Sequence, residues 1–237
     1  MNRNIEVGDV LGEVFSTYRD NAGVLLPVAF LLYLVVAVVN GLVGGSLLML
    51  AIAFAVSITA GTLYQGMVVE LVSDVQDGRR DSTAGDLLNS AVPFIGPLIG
   101  VGLFAGICIG VGLLLFLIPG LFLLTIWAVI APVIVVERAR VFESLGRSRD
   151  LVRGHAWQVF GVILVTFLIV AIASFAFMAI GNAIADGPAL RIVFGVIAYT
   201  VTAPIGALVA SVLYFRLRAM KGETSMGEAA PPPAPAV

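Results

Sequence analysis

Val24–Val43 reads VLLPVAFLLYLVVAVVNGLV, twenty positions without a charge. A bilayer core about 30 Å thick takes roughly 20 residues of helix, so this run alone is long enough to cross one. Upstream, Val7, Val10, Leu11, Val14, Phe15 and Tyr18 fall at i, i+3, i+4, i+7, i+8 and i+11, one stripe of a helix, with Glu6, Asp9, Glu13 and Asp20 off it. Downstream, Ser46–Val69 is a second apolar run. The local unit is an amphipathic helix feeding an apolar hairpin.

The unit recurs, at about residues 5–72, 81–137 and 141–216. Gly8-Asp9-Val10-Leu11 opens the first and Gly85-Asp86-Leu87-Leu88 the second, with Glu143-Ser144-Leu145 in the looser third. Setting Leu11 against Leu145 also places Arg19 opposite Arg153 and Asn21 opposite His155. A repeat of fixed period dictates architecture. The remaining apolar runs are Ile95–Leu117, Leu121–Val136, Val159–Ile180 and Ile192–Tyr214. The chain is 60% hydrophobic and 12% charged with mean hydropathy +1.08, whereas soluble domains carry about a quarter charged residues. No segment alternates as a barrel strand does, which leaves helices to satisfy the backbone in lipid. The expected fold is all-α: an integral membrane six-helix bundle with three interfacial amphipathic helices, in three parallel repeats. Residues 1–221 form one transmembrane domain, and the Pro/Ala-rich 222–237 has too little to bury to order itself.

Of thirteen Lys and Arg, twelve fall on one side of that scheme. They are Arg3 and Arg19, Arg79 and Arg80, Arg138, Arg140, Arg147, Arg149 and Arg153, then Arg216, Arg218 and Lys221; Arg191 alone falls on the other. The positive-inside rule puts both termini in the cytoplasm of a multi-pass cell-membrane protein.

The three leading helices differ. The first is acidic, so anionic lipid would not attract it, and it either lies on lipid or packs on the cytoplasmic face of the bundle. The second starts with a capping-box pattern, Thr83-Ala84-Gly85-Asp86. The third, Val141–Val152, is basic, and Glu143 and Arg147 are spaced for an i, i+4 pair. The short fourth run is expected to begin at a Pro119-Gly120 turn and to span upright, and Pro132 and Pro204 to kink their helices. Gly96, Gly100, Gly102, Gly106, Gly110 and Gly112 let another helix approach the third run closely, within the chain or from a second copy.

Chemistry-bearing residues are few. One His and one Cys, Cys108 inside a span, do not make a zinc site or a Cys–His pair. No catalytic, cofactor-binding or metal site is expected, and no nucleic-acid contact. No ionisable residue sits mid-span, which argues against ion pathways. Glu70 and Glu137 end the second and fourth runs in matching contexts, with Arg216 in their place in the third unit. These three either meet as a charge cluster or simply end their spans in water, Glu137 pairing with a nearby arginine. Thr62, Tyr64, Gln65, Thr125, Thr166 and Thr202 read as polar glue between helices.

Ile118-Pro119-Gly120-Leu121, Trp127, Ala131-Pro132-Val133 and Val136-Glu137, followed by Glu143-Ser144-Leu145-Gly146-Arg147-Ser148 and Arg153-Gly154-His155-Ala156-Trp157, resemble the glycerophosphoryl diester phosphodiesterase membrane domain family. Gly8-Asp9-Val10-Leu11 and Tyr18-Arg19 fit as well. The resemblance implies a six-span membrane module without the soluble phosphodiesterase barrel to which that family's name refers, and transfers no catalytic residue.

The leading functional expectation is a non-enzymatic module that organises lipid or a partner protein at the cytoplasmic leaflet. Arg138, Arg140, Arg147, Arg149, Arg153, His155 and Trp157 would make the contact. Membrane lipid is the expected partner, with a partner membrane protein or a homodimer as further options. The alternative is a transporter or export component for a lipid-like or weakly polar solute.

Overall fold

A computed structural model describes residues 5–42, 46–78, 83–184 and 187–223. Arg3, Arg79, Arg80 and all of the tail beyond residue 223 lie outside the described residues. Within them the chain is all-helical, with no strand. The order is α1 (Val7–Asp20), α2 (Ala22–Gly41), α3 (Leu47–Gln76), α4 (Ala84–Ala91), a 3-10 turn (Val92–Phe94), α5 (Ile95–Leu115), α6 (Leu117–Ile126), α7 (Ile130–Glu137), α8 (Val141–Val152), α9 (Ala156–Ile184) and α10 (Pro188–Met220). Six helical stretches of the described chain are long and apolar enough to cross a membrane, counting α4 through α5 as one and α6 with α7 as one. Six such stretches suit a multi-pass membrane protein.

Local chemistry sets several helix ends. At α4 the expected capping box forms: Thr83 Oγ1 accepts the Asp86 N–H at 3.3 Å, and Asp86 Oδ2 accepts the Thr83 N–H at 3.2 Å. The α8 start is different from its expected ion pair. Glu143 accepts the Arg140 backbone N–H at 3.4 Å, while Arg147 turns away to Glu137. An orphan amide at a helix start competes for the same carboxylate that an i, i+4 arginine would use.

The fourth span corrects two expectations. Its turn is the single extended residue Phe116 (φ −152°, ψ 125°) between α5 and α6, not Pro119-Gly120. Pro119 sits in the first turn of α6, where its missing N–H costs nothing. Gly120 instead lets α6 cross α5: a Cβ there would lie 2.4 Å from Leu113 Cγ, and one at Gly112 would lie 3.0 Å from Gly120 Cα. Nor does the span run straight through a kink at Pro132. It breaks over residues 127–129, and α7 restarts at Ile130. Pro132 cannot donate to the carbonyl four residues back, Ala128, inside that break. Pro204, by contrast, lies within the uninterrupted α10.

Close packing gathers at one end of the bundle, where α1 and α8 sit. Val10 and Val14 of α1, Leu25 of α2, Met67 of α3, Val159 of α9 and Leu213 of α10 are all fully buried in one cluster. A second cluster joins α3, α5, α7 and α8 through Val69, Leu98, Ile134 and Leu145. At the other end Leu47, Leu114 and Ile118 stand outward, 84%, 88% and 80% exposed, apolar surface that costs nothing where the surroundings are lipid tails. The expectation of close packing within the chain along the α5 glycines is largely not met. A Cβ at Gly96, Gly102, Gly106 or Gly110 would meet nothing within 4 Å, and only Gly100 (Val141 Cγ2, 3.7 Å) and Gly112 touch a neighbouring element.

Candidate functional site

Three layers of charge ring the packed end. The first starts from Glu137, the last residue of α7. Arg147 of α8 grips its carboxylate with a two-pronged fork, Nε to Oε2 at 2.8 Å and Nη2 to Oε1 at 3.0 Å. Tyr214 of α10, itself buried, donates its hydroxyl to the same Oε1 at 3.0 Å. Arg218 Nη1 reaches the Tyr214 oxygen at 3.4 Å. Arg147 also holds Glu223 beyond the end of α10, and Lys221 donates to the Asp150 carbonyl. The two carboxylates, Glu223 foremost, favour the charged guanidinium and push Arg147 up. The same contact pulls Glu223 below the usual carboxylate range. An arginine surrounded in this way holds elements together and has little left for lipid.

The second layer ties down α1. Arg216 Nη2 lies 2.7 Å from Glu13 Oε2 and 3.0 Å from the Asp9 carbonyl oxygen, and Gln76 donates to Glu13 at 3.4 Å. Tyr18 adds its hydroxyl to the Val201 carbonyl of α10 at 3.2 Å, and burial pushes that phenol up. Of the two placements open to the acidic helix, it takes the one against the bundle, and Arg216 supplies the opposite charge. The third layer is local to α3 and the α7–α8 joint, where the charges bearing on half-buried Glu70 are Asp74 and Arg138.

Glu70, Glu137 and Arg216 therefore do not merge into one cluster: Glu137 goes to Arg147, Arg216 to Glu13, and Glu70 keeps its own neighbours. Glu137 pairs with an arginine of α8 and Arg216 with an acid of α1, so pairing follows packing of helices rather than matching positions in the chain.

The basic set divides the same way. Arg147 is half-buried and engaged by two carboxylates, but Arg138, Arg140, Arg149 and Arg153 are exposed. Along α8, Ser144, Leu145, Ser148, Leu151 and Val152 face inward. Phe142, Arg149 and Arg153, at i, i+7 and i+11, share the outward line, and Phe142 is 73% exposed. Its ring meets Phe104 of α5 edge-on at 5.6 Å. Just past α8, Gly154 takes a left-handed conformation (φ +94°) that turns the chain into α9, and Trp157 stands 84% exposed there against Phe160. His155 is half-buried, its Nδ1 shielded and without a hydrogen-bond partner among the described residues. The outward line of α8 thus carries two guanidinium groups and an aromatic ring, with exposed Arg138 and Arg140 before it in the chain and exposed Trp157 after it.

Sequence reasoning missed Ser148, Glu13, Tyr18, Tyr214 and Glu223. Ser148 is fully buried and donates to the Ile126 carbonyl at 2.9 Å, a group left over by the break because the Ile130 N–H turns to Trp127. The signal was present: Ser144 and Ser148 stand at i, i+4 on the otherwise apolar stripe of α8. Glu223 had no signal, standing at the edge of a Pro/Ala-rich segment.

Among the described residues, grooves open between helices. One of about 570 Å³ runs among α2, α3 and α10, one of about 320 Å³ between α9 and α10, and one of about 360 Å³ between α3 and α5 past Thr62 and Gln65. Tyr64, next to Gln65 on α3, is buried and donates to the Leu25 carbonyl of α2 at 3.2 Å, polar glue between two helices. Among the described residues no three His, Cys, Asp or Glu side chains are arranged to hold a metal ion.

No curated protein and no solved structure matches this chain. Residues 92–224, more than half of the sequence and the part that carries α5 through α10, match a family model, and the chain belongs to the family described as Domain of unknown function (DUF8558).

Proposed function

We propose that this protein is a non-enzymatic module of the cell membrane that organises anionic lipid at the cytoplasmic leaflet. Its architecture in this reading is three parallel repeats, each a helix lying at the interface followed by a membrane hairpin. The helix order supports that, since α1, α4 and α8 each lead into two of the six long apolar stretches, α4 joining its own through the 3-10 turn, as do Asn21 and His155, each of which immediately precedes the next long helix. Six spans bring both termini to one side, and the charge bias makes that side the cytoplasm. The resemblance to the glycerophosphoryl diester phosphodiesterase membrane domain belongs to the same reading, as a relationship of membrane modules without the barrel.

The observation that carries the lipid assignment is the outward line Phe142–Arg149–Arg153, with Arg138 and Arg140 before it and Trp157 after it. The Trp ring favours the headgroup level, and each cation near an anionic surface is worth about 1 kcal/mol. The test is a double charge reversal, Arg149→Glu with Arg153→Glu, followed by extraction into polymer-bounded native discs. The phosphatidylglycerol share of co-extracted lipid should fall relative to wild type. An unchanged share, together with loss of a protein cross-linked at these positions, would move the assignment to a partner protein. The transporter reading draws on the groove past Thr62 and Gln65 alone, a groove that Tyr64 does not extend inward.

A further inference from the structure

We infer that the seam between α9 and α10 is a binding site for one anionic phospholipid, at the end of the bundle remote from the basic loop. Ser174, Met178 and Asn182 stand at i, i+4 and i+8 on α9, and Arg191, Gly195 and Ala198 at i, i+4 and i+7 on α10. Each set is one face of its helix, so the groove between them runs along the helix axes, the direction in which an acyl chain lies. Its volume is about 320 Å³, at the slender end of ligand sites. The eight steps from Arg191 to Tyr199 make it roughly 12 Å long. Ser174, Gly195 and Ala198 leave this space by being small. Where the helices do close, they close hard: Phe194 packs onto Gly181, whose Cβ would lie 3.0 Å from the Phe194 Cβ.

Charge supplies the second half of the argument. Arg191 is the sole Lys or Arg between Arg153 and Arg216. It is exposed at the mouth of the groove and has no ion-pair partner among the described residues. It also sits in the first turn of a 33-residue helix, whose amino end adds positive potential. Asn182 brings an amide to the same mouth. A cationic, hydrogen-bonding mouth over a narrow apolar groove matches a single ligand class, an amphiphile with an anionic phosphate headgroup and a hydrocarbon tail. This site does not depend on the Arg149–Arg153 surface.

The test uses the full chain purified in detergent, with dioleoyl phosphatidylglycerol or dioleoyl phosphatidylcholine added and retained lipid counted by native mass spectrometry. Wild type should keep one phosphatidylglycerol under conditions that strip the rest. Arg191→Gln should reduce the preference for phosphatidylglycerol over phosphatidylcholine about tenfold, the effect of losing one charge-assisted contact. Gly195→Leu should lower retention of both lipids by filling the groove. A Cβ at Gly195 meets nothing within 4 Å, and an unchanged thermal midpoint in Gly195→Leu shows that a lost adduct is not a lost fold. The Arg149→Glu, Arg153→Glu protein should keep this lipid, which separates failure at the other end from failure here. An unchanged preference in Arg191→Gln, or an undiminished adduct in Gly195→Leu, overturns the site.

Discussion

Ser148 shows how one hydroxyl holds a broken span. The gap between α6 and α7 leaves the Ile126 carbonyl without its helical donor, and the Ser148 hydroxyl, fully buried, is what replaces it. A buried acceptor left unpaired costs about 1–3 kcal/mol. Ser148→Ala should therefore lower the thermal midpoint of the detergent-solubilised protein, whereas the same change at exposed Ser90 should leave it in place. Equal midpoints for the two variants would mean the hydroxyl contributes nothing. Glu223 makes a different kind of contact, reversible with pH. Arg147 depresses its pKa, so the stabilising contact is complete above the ordinary glutamate value of about 4.3 and is lost as pH falls through the lower folded value. With side chains 28% and 39% exposed, the pair is worth less than about 1 kcal/mol, enough to fix a chain end but not a fold. Spin labels at Gly146 and Met220 should give a narrow distance distribution at pH 7 and a broad one below pH 4. Glu223→Gln should be broad at both, and a distribution insensitive to pH would remove the ion pair as its cause.

At the scale of elements, what could be read in the sequence follows from what each signal measures. The α1 stripe, the α4 box and the basic α8 were legible because amphipathic spacing and capping act within a few residues. The buried faces agree: Val10 and Val14 on α1, Leu87 and Ala91 on α4, Leu145 and Val152 on α8. The α6–α7 break was not legible, because Pro119, Gly120 and Pro132 all carry turn potential and the sequence does not rank them. Three-dimensional crossing ranks them: Gly120 is needed where α6 meets Leu113, so the turn moves up to Phe116. Ion-pair partners were likewise beyond local reading. Arg216 finds Glu13 across 203 residues and Tyr214 finds Glu137 across 77. In each case the sequence supplies a charge at a helix end, and the packing of the leading helices chooses its mate. The outward line on α8 was half legible: the arginines were conspicuous, but only the buried face separates Arg147 from Arg149 and Arg153.

For the whole molecule, uneven packing and uneven charge coincide. The end where α1 and α8 pack holds both core clusters and every ion pair among the described residues. The other end splays into grooves with Arg191 as its one described cation. Ion pairs need water or close partners, and apolar surface facing lipid needs neither, so in the proposed membrane placement a bundle held together at its charged end is free to open at the other. This arrangement makes orientation the property on which the proposed roles turn, and it can be measured directly. Replacing Cys108 by Ala removes the only native thiol. Single cysteines at Gly146 and Gly187 then report the two ends, and a Cβ at either position meets nothing within 4 Å, so neither disturbs packing. With the charge bias setting orientation, a membrane-impermeant maleimide should label Gly187→Cys on intact cells and Gly146→Cys only after permeabilisation. Moving the basic loop outward should demand energy in proportion to its cations, so reversing Arg138, Arg140, Arg149 and Arg153 together should raise labelling at Gly146→Cys in intact cells. The opposite pattern in the unreversed protein would place the Phe142–Arg149–Arg153 surface outside, and with it the leaflet that this module serves.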